Sequence, residues 1–384
     1  MFTNTPTTPR PLPARAMDPA GLETLITVLR GEGYEVLGPT PAEGAIVYDR
    51  LASAADLPVG WADEQAPGHY RLYRRQDAAY FGYVVGPHSW KKYLFPPRET
   101  LFYIHRRPDT SFRHEPAGEP PLPRAFLGVR PCELAAIASQ DIIFNGQPVV
   151  DRGYAARRGA VFTVAVDCAA PGGTCFCTSA GGGPTATGDF DLALSEICHP
   201  AAHFFAVAAG SAAGEGILAQ LETRAITSAE QAAVQAQWES APQQMGRELP
   251  PRAAPLLKSS LEHPRWEAVA KRCLSCANCT LVCPTCFCSN MEDTAELDGS
   301  TAARVRTWGS CFEAEHSYLV GGPHHASVAS RYRQWLTHKL AHWHDQFGHS
   351  GCTGCGRCIT WCPVGIDLTE EVAALAEPAP EGNP

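Results

Sequence analysis

The sequence lacks the segments that would carry a chain into or across a membrane. None of its apolar runs is long enough to span a bilayer, so we expect no membrane-spanning segment. The first residues, Met1–Arg15, are rich in Thr and Pro and contain neither the apolar core of a signal peptide nor a twin-arginine pair. We therefore expect a cytoplasmic protein in which residues 1–18 form a disordered tail.

Several other signatures are also missing. The formal net charge of -9 argues against nucleic acid as a partner. The glycine-rich stretch Gly181–Pro184 lacks the Lys-Ser/Thr pair of a P-loop and does not fit G-x-G-x-x-G. Because no flavin or nicotinamide fingerprint stands out, we expect FAD and NAD(P), if they take part, on a partner subunit.

Cysteine, in contrast, is abundant, with 16 residues in a chain of 384. Without an export signal, so many cysteines indicate metal ligation in a reducing compartment, not disulfides. Eight of them form two runs with the spacing C-x2-C-x2-C-x3-C-P, which is the ligand run of bacterial-type [4Fe–4S] sites. These eight are Cys273, Cys276, Cys279 and Cys283 in the first run, and Cys352, Cys355, Cys358 and Cys362 in the second.

The spacing predicts two [4Fe–4S] clusters with exchanged fourth ligands. In two-cluster ferredoxins the fourth cysteine of one run ligates the other cluster. We therefore expect cluster 1 to be held by Cys273, Cys276, Cys279 and Cys362, and cluster 2 by Cys352, Cys355, Cys358 and Cys283. A zinc-stabilised scaffold is the alternative, because C-x2-C pairs are also found in zinc ribbons.

A further group of cysteines surrounds the sequence Thr-Cys-Phe-Cys, which occurs twice. The group comprises Cys168, Cys175, Cys177, Cys286 and Cys288, and it suggests an additional iron–sulfur cluster. The alternative is that these are free thiols buried as small apolar residues. Cys132 begins a predicted helix, and we interpret it as structural because no histidine partner is identifiable.

The pattern of apolar residues predicts two domains. Helical spacing over Gly21–Gly31 and buried strands at 125–129 and 161–166 indicate an irregular mixed α/β docking domain over residues 19–240. The proline-rich residues 241–257 are interpreted as a linker. An apolar stripe between the two runs predicts an all-helical dicluster ferredoxin domain over 258–377, followed by a disordered tail over 378–384.

Three stretches outside the runs narrow the family: Phe81–Pro97, Gly128–Ile137 and Asp167–Pro184. Together with the helical dicluster end, they resemble the β (iron–sulfur) subunit of soluble NAD(P)-linked [NiFe] hydrogenases, the sulfhydrogenases. The same layout resembles the A subunit of anaerobic sulfite reductase. The resemblance covers roughly Gly21 to Ala376.

This resemblance implies an electron-transfer subunit of a cytoplasmic oxidoreductase complex. The chain would relay electrons between a flavin/NAD(P)-binding subunit and the [NiFe] hydrogenase subunits, or the corresponding sulfite reductase subunits. It would contain no catalytic residues of its own. A different class of function, a flavin-dependent reductase with a substrate pocket in the α/β domain, remains the alternative.

Overall fold

The computed structural model describes residues 10–84, 86–118 and 121–377. Its strands are β1 (Arg15–Met17), β2 (Glu35–Ala42), β3 (Ala45–Arg50), β4 (Trp61–Ala66), β5 (His69–Arg74), β6 (Arg98–Arg106), β7 (Phe112–Pro116), β8 (Arg124–Val129), β9 (Val161–Val166), β10 (Leu192–His199), β11 (Ala202–Ala209), β12 (Arg224–Ala225), β13 (Ser289–Ala295), β14 (Thr301–Trp308), β15 (Tyr318–Leu319) and β16 (Gly322–Pro323). Its α-helices are α1 (Gly21–Gly31), α2 (Lys91–Leu94), α3 (Pro131–Phe144), α4 (Arg152–Gly159), α5 (Ala212–Leu218), α6 (Ser228–Ser240), α7 (Ala253–Ser259), α8 (Arg265–Ala270), α9 (Asn278–Leu281), α10 (Val328–Thr337), α11 (Trp343–Phe347), α12 (Arg357–Thr360) and α13 (Leu368–Ala374).

A large sheet of eight strands forms the centre of the region upstream of the cysteine runs, residues 10–240, which we call the upstream region. Its order is β12-β1-β11-β10-β9-β8-β2-β3, and the neighbours β2, β8, β9 and β10 run parallel. Helices α3 and α4 connect β8 to β9, which is the crossover that a parallel pair requires. The carboxyl ends of β8 and β9 therefore meet at one edge of the sheet. The predicted mixed α/β character is confirmed.

Local sequence explains the central elements. The strands β8 and β9 are almost uniformly apolar because helices and loops cover both faces of a parallel sheet. Helix α1 buries Leu22, Leu25 and Leu29 on one face and packs them against the sheet. This is the helix that the apolar spacing predicts.

The second sheet corrects the prediction of an all-helical downstream domain. Strands β13 and β14 form a hairpin between the two cysteine runs, and β14 pairs antiparallel with β6 of the upstream region. The hairpin turns at Asp298–Gly299, where Gly299 has a φ of 68°. Asp-Gly favours such turns because glycine adopts positive φ without steric cost. The sheet order is β13-β14-β6-β7, so this sheet is built from both predicted domains.

The start of the chain also differs from its prediction. Residues 1–9 and 378–384 lie outside the described residues, so most of both predicted tails is not tested. Arg15–Met17, however, is a strand that pairs with β11, and Ala16 and Met17 are buried. Two apolar residues at the end of a Pro-rich stretch are enough to anchor it to the sheet. The guanidinium of Arg10 is 2.7 Å from the Asp167 carboxylate.

The downstream region, residues 258–377, has its own apolar core around α10. The predicted helical stripe is confirmed, with Tyr332, Trp335 and Leu336 buried in a core that cysteines of both runs border. A π-helical turn, His338–His342, joins α10 to α11. Nowhere in the described ranges is there a helix with the length and apolarity to cross a bilayer.

The two copies of Thr-Cys-Phe-Cys, at 174–177 and 285–288, each place a phenylalanine against the core of the other region. Phe176, from the upstream copy, is buried in the downstream core. Phe287, from the downstream copy, packs against the core on the α3 side of the large sheet, with its ring edge-on to Phe144. Within the predicted linker, Arg247 forms an ion pair of 2.6 Å with Asp367, which caps α13. These contacts tie the linker to the downstream region.

Candidate iron–sulfur centre

The two cysteine runs fold in the same way locally. Each ends in a short helix, α9 or α12, that carries the third cysteine. The residue before the second cysteine and the residue after it are left-handed in both runs. Their φ angles are 52° and 63° at Ser275 and Ala277, and 66° and 74° at Gly354 and Gly356.

This backbone turns the same amide toward sulfur in each run. The N–H of Ser275 lies 3.4 Å from Sγ of Cys273, and the N–H of Gly354 lies 3.4 Å from Sγ of Cys352. Amide donors close to a thiolate spread its negative charge and tune the potential of a bound cluster. Sequence spacing therefore produces two matching thiol loops.

A cavity of about 30 Å³ lies beside the first loop. Its lining includes the four cysteines Cys273, Cys276, Cys279 and Cys362. Cys362 is the last cysteine of the second run, so the two runs exchange at least this residue in space. Cys358 also borders the cavity.

Two aromatic groups in the lining of this first cavity have unused hydrogen-bond donors. The hydroxyl of Tyr332 and the indole N–H of Trp335 are buried and have no protein partner among the described residues. A buried donor without a partner costs about 1–3 kcal/mol. Sulfides and thiolates of an anionic cluster would accept from both groups, so the four thiols and the two donors fit such a group.

The remaining run cysteines are Cys283, Cys352, Cys355 and Cys358, of which Cys358 borders the first cavity. The pKa of Cys358 is raised well above its ordinary value by burial and then by the charges of neighbouring thiols. Among these thiols, Cys352, Cys355 and Cys283 raise the pKa of Cys358 most. Cys283, from the first run, lies near the start of the second, because the ammonium of Lys339 is 3.1 Å from Sγ of Cys283 and 3.4 Å from the carbonyl of Gly351.

Buried cations surround this second group. The ammonium of Lys339 lies 3.1 Å from Sγ of Cys283 and 2.8 Å from the hydroxyl of Thr285. Burial opposes its charge, yet the adjoining thiolates, Cys283 first among them, hold the pKa of Lys339 well above its usual value. Arg357, which precedes Cys358, forms a buried ion pair of 2.6 Å with Glu133 of α3. The charge of Arg357 is balanced by Glu133, so it is the ammonium of Lys339 that suits a site for an anionic group.

A second cysteine-lined cavity, of about 30 Å³, lies at the carboxyl edge of β8 and β9. Cysteines from the upstream region and from the second run line it: Cys132, Cys168, Cys175, Cys177 and Cys355. The prediction that Cys168, Cys175 and Cys177 share one location agrees with this lining. Cys132 was interpreted as structural from the sequence, and the structure places it in the same lining.

The structure does not bring Cys286 and Cys288 to that cavity, which corrects their predicted grouping. Cys286 is instead a neighbour of Cys283, and Cys288 a neighbour of Cys311. They are held there because their Thr-Cys-Phe-Cys segment follows the first run directly, and Lys339 binds Thr285 at its start. Cys311 was missed by sequence reasoning, since it follows a hairpin that was itself not predicted.

Comparisons with known proteins bear on the cysteine runs and on the chain as a whole. Residues 272–366 match the family model described as a 4Fe-4S dicluster domain. The chain is also similar to sulfhydrogenase 2 subunit beta of Pyrococcus furiosus, with 28% identity over 298 residues. That alignment covers 75% of this chain and 82% of the relative. No solved structure matches the chain. The resemblance drawn from the sequence, to the iron–sulfur β subunits of sulfhydrogenases, is confirmed by these findings.

Proposed function

We propose that this chain is an electron-transfer subunit that carries electrons through two [4Fe–4S] clusters inside a multisubunit hydrogenase. The observation that carries the proposal is the cavity in which Cys362 joins the three leading cysteines of the first run. An iron–sulfur cluster accepts and releases one electron without changing bonds in a substrate. The chain's residues then have to hold, neutralise and shield the clusters.

The proposed ligand sets follow the exchange between the runs. Cluster 1 would be held by Cys273, Cys276, Cys279 and Cys362, and cluster 2 by Cys352, Cys355, Cys358 and Cys283. Tyr332 and Trp335 would donate to the first, while Lys339 would neutralise the second. Cys276 is exposed, so the first site lies nearer the surface, where a partner could exchange electrons with it.

The parent complex is proposed from the resemblance. A flavin/NAD(P)-binding subunit and [NiFe] hydrogenase subunits would be the partners, in the cytoplasm. The name of the matched relative supports a hydrogenase over the alternative, an anaerobic sulfite reductase. Anaerobic co-purification separates the two, because nickel would accompany the hydrogenase partners and siroheme the sulfite reductase partners.

A broad cleft supports a second candidate function, a flavin-dependent reductase with its own pocket. The cleft runs along α3 and includes Gly181, Gly182 and Gly183 on one side, with Cys132 and Cys177 in its lining. A flavin band in the visible spectrum of the isolated chain would favour this candidate. A spectrum with only the broad absorption of iron–sulfur clusters would count against it.

Replacing one cysteine in each run tests the relay. Cys276→Ser should remove or alter the paramagnetic signal of one cluster after reduction, and Cys355→Ser that of the other. Each variant should also slow electron passage through the complex. Cys198→Ser, on β10, is the control, because Cys198 lines neither cysteine cavity. If both run variants keep both signals and full rates, the ligand sets are wrong.

A further inference from the structure

Four thiols outside the proposed ligand sets meet in the cavity at the sheet edge. Cys132 begins α3, Cys168 follows β9, and Cys175 and Cys177 lie on the loop beyond it. Because β8 and β9 are parallel neighbours, the first two are carried to the same edge. The loop then brings the other two against them. With Cys355 assigned to the second run's cluster, four thiols remain, which is a complete set for a cluster.

The size and chemistry of this cavity match those of the first cluster's cavity. Each cavity has a volume of about 30 Å³. Among the described residues that line the sheet-edge cavity there is no histidine and no carboxylate. A set made only of thiolates selects soft metals and iron–sulfur clusters over hard cations.

A buried arginine in the cavity lining would balance part of the negative charge of such a site. The guanidinium of Arg130 is 3.8 Å from Sγ of Cys168. The same guanidinium donates to the carbonyls of Phe81 and Tyr83, which fix its position. Arg357 also lines the cavity, but its charge is already paired with that of Glu133. The fixed guanidinium of Arg130 can offset part of the negative charge that four thiolates bring.

A single zinc ion does not fit this arrangement. Thiolates around tetrahedral zinc stand about 3.8 Å from one another, given a Zn–S bond of about 2.3 Å. Over the described part of the chain, no three Cys, His, Asp or Glu side chains are close enough to hold one metal ion. Thiolates around a cubane lie further apart, because a cage of irons and sulfides separates them. The proposed first site has the same property, and it too is not a single-ion site.

We propose that Cys132, Cys168, Cys175 and Cys177 bind a third [4Fe–4S] cluster beside the cluster of the second run. The loop and the second run are in direct contact. The N–H of Phe176 donates to the carbonyl of Gly354 at 2.8 Å, and Sγ of Cys175 lies 3.9 Å from the carbonyl of Cys355. The third site would extend the relay from the helical region into the α/β region.

The redox step is a one-electron exchange. The neighbouring cluster is oxidised as the third site accepts one electron, and no atom or proton has to move. The role of the third site rests on the proposed electron transfer. Its metal content does not depend on that proposal, so the two can fail separately.

Iron analysis of the anaerobically purified full chain tests the third site. Three cubanes require about twelve iron atoms per chain, and two require about eight. Cys175→Ala and Cys132→Ala should each lose about four irons while the signals of the two run clusters persist. Cys198→Ala is the matched control and should retain the wild-type amount.

The same measurement contains the results that would overturn the proposal. A wild-type content of about eight irons would exclude a third cubane even if the variants failed to fold. Loss of zinc, or of only two irons, from the Cys175→Ala protein would also contradict it. If instead Cys276→Ser and Cys355→Ser leave the iron unchanged while Cys175→Ala lowers it, the proposed run clusters fail and the third site stands.

Discussion

The two cysteine runs share their spacing and backbone but differ at the two left-handed positions. The first run has Ser275 and Ala277 there, while the second has Gly354 and Gly356. A side chain at either position of the second run would enter the backbone of the Thr174–Cys177 loop. A Cβ on Gly354 would lie 2.5 Å from the backbone nitrogen of Cys177. The second run, with its two glycines, is therefore covered by this loop, whereas the first run, with Ser275 and Ala277, is more open.

The surroundings of the runs differ in charge as well. The first run borders an apolar cavity with aromatic donors and an exposed thiol at Cys276. The second is enclosed by Lys339, Arg357 and the upstream loop. Positive charge raises the potential of a cluster because it stabilises the reduced, more negative form. If each run holds a cluster as proposed, we expect the ammonium of Lys339 to make the second cluster the stronger acceptor.

The largest expected effect comes from filling the space beside the covered run. Gly354→Ala adds a left-handed alanine, which costs about 1–2 kcal/mol, and a clash with fixed backbone, which adds about 1–3 kcal/mol. Anaerobic denaturation should show a lower unfolding midpoint, together with loss of iron. Ser275→Gly, at the equivalent position of the first run, relieves a left-handed side chain, so it should lower neither the midpoint nor the iron content. Equal effects of the two substitutions would break the contrast between covered and open runs.

The next effect concerns charge. Lys339→Met keeps much of the side chain's volume and removes the ammonium next to Cys283. A unit charge at this range contributes a few kcal/mol at an effective dielectric constant of about 20, which corresponds to roughly 100 mV for one electron. The potential of the cluster assigned to the second run should therefore fall by about that amount in a potentiometric titration followed by paramagnetic resonance.

The control for this charge effect is a lysine on the surface. Lys258→Met removes an ammonium that is paired with Asp345 and is 41% exposed. Water and salt screen such a charge, so neither cluster should change its potential. A shift of the first cluster's potential in Lys339→Met, with none in the second, would show that the contrast in charge is assigned to the wrong site.

Much of this architecture can be predicted from local sequence. The apolar runs of β8 and β9 and the stripe of α1 are local signals, and the structure bears them out. The hairpin β13–β14 was not predicted because its first strand is almost wholly exposed and has no alternating apolar pattern. Its pairing with β6 joins residues that are far apart in sequence, which no local pattern specifies.

The grouping of cysteines shows the same division. The spacing within each run predicts its loop, since all ligands of a loop are neighbours in sequence. Cys132 could also have been associated with Cys168, because each follows a predicted buried strand and a helix between two such strands is typical of a parallel pair. The identical Thr-Cys-Phe-Cys motifs favoured a wrong grouping, because similarity of sequence does not carry information about distance. The first copy follows β9 and the second follows α9, so the two copies lie at different places in the fold.

The smallest expected effect concerns a single donor beside the open run. Tyr332→Phe removes a buried hydroxyl that has no protein partner among the described residues and lines the first cavity. If the hydroxyl donates to the cluster, its loss removes about 1 kcal/mol of preference for the reduced form, or about 40 mV. The potential of the first cluster should fall by that amount while the second stays constant, the reverse of the pattern for Lys339→Met. Tyr318→Phe, at an exposed tyrosine, should change neither. An unchanged first potential in Tyr332→Phe would mean that this hydroxyl does not tune the cluster, and the difference between the sites would then rest on the buried cations alone.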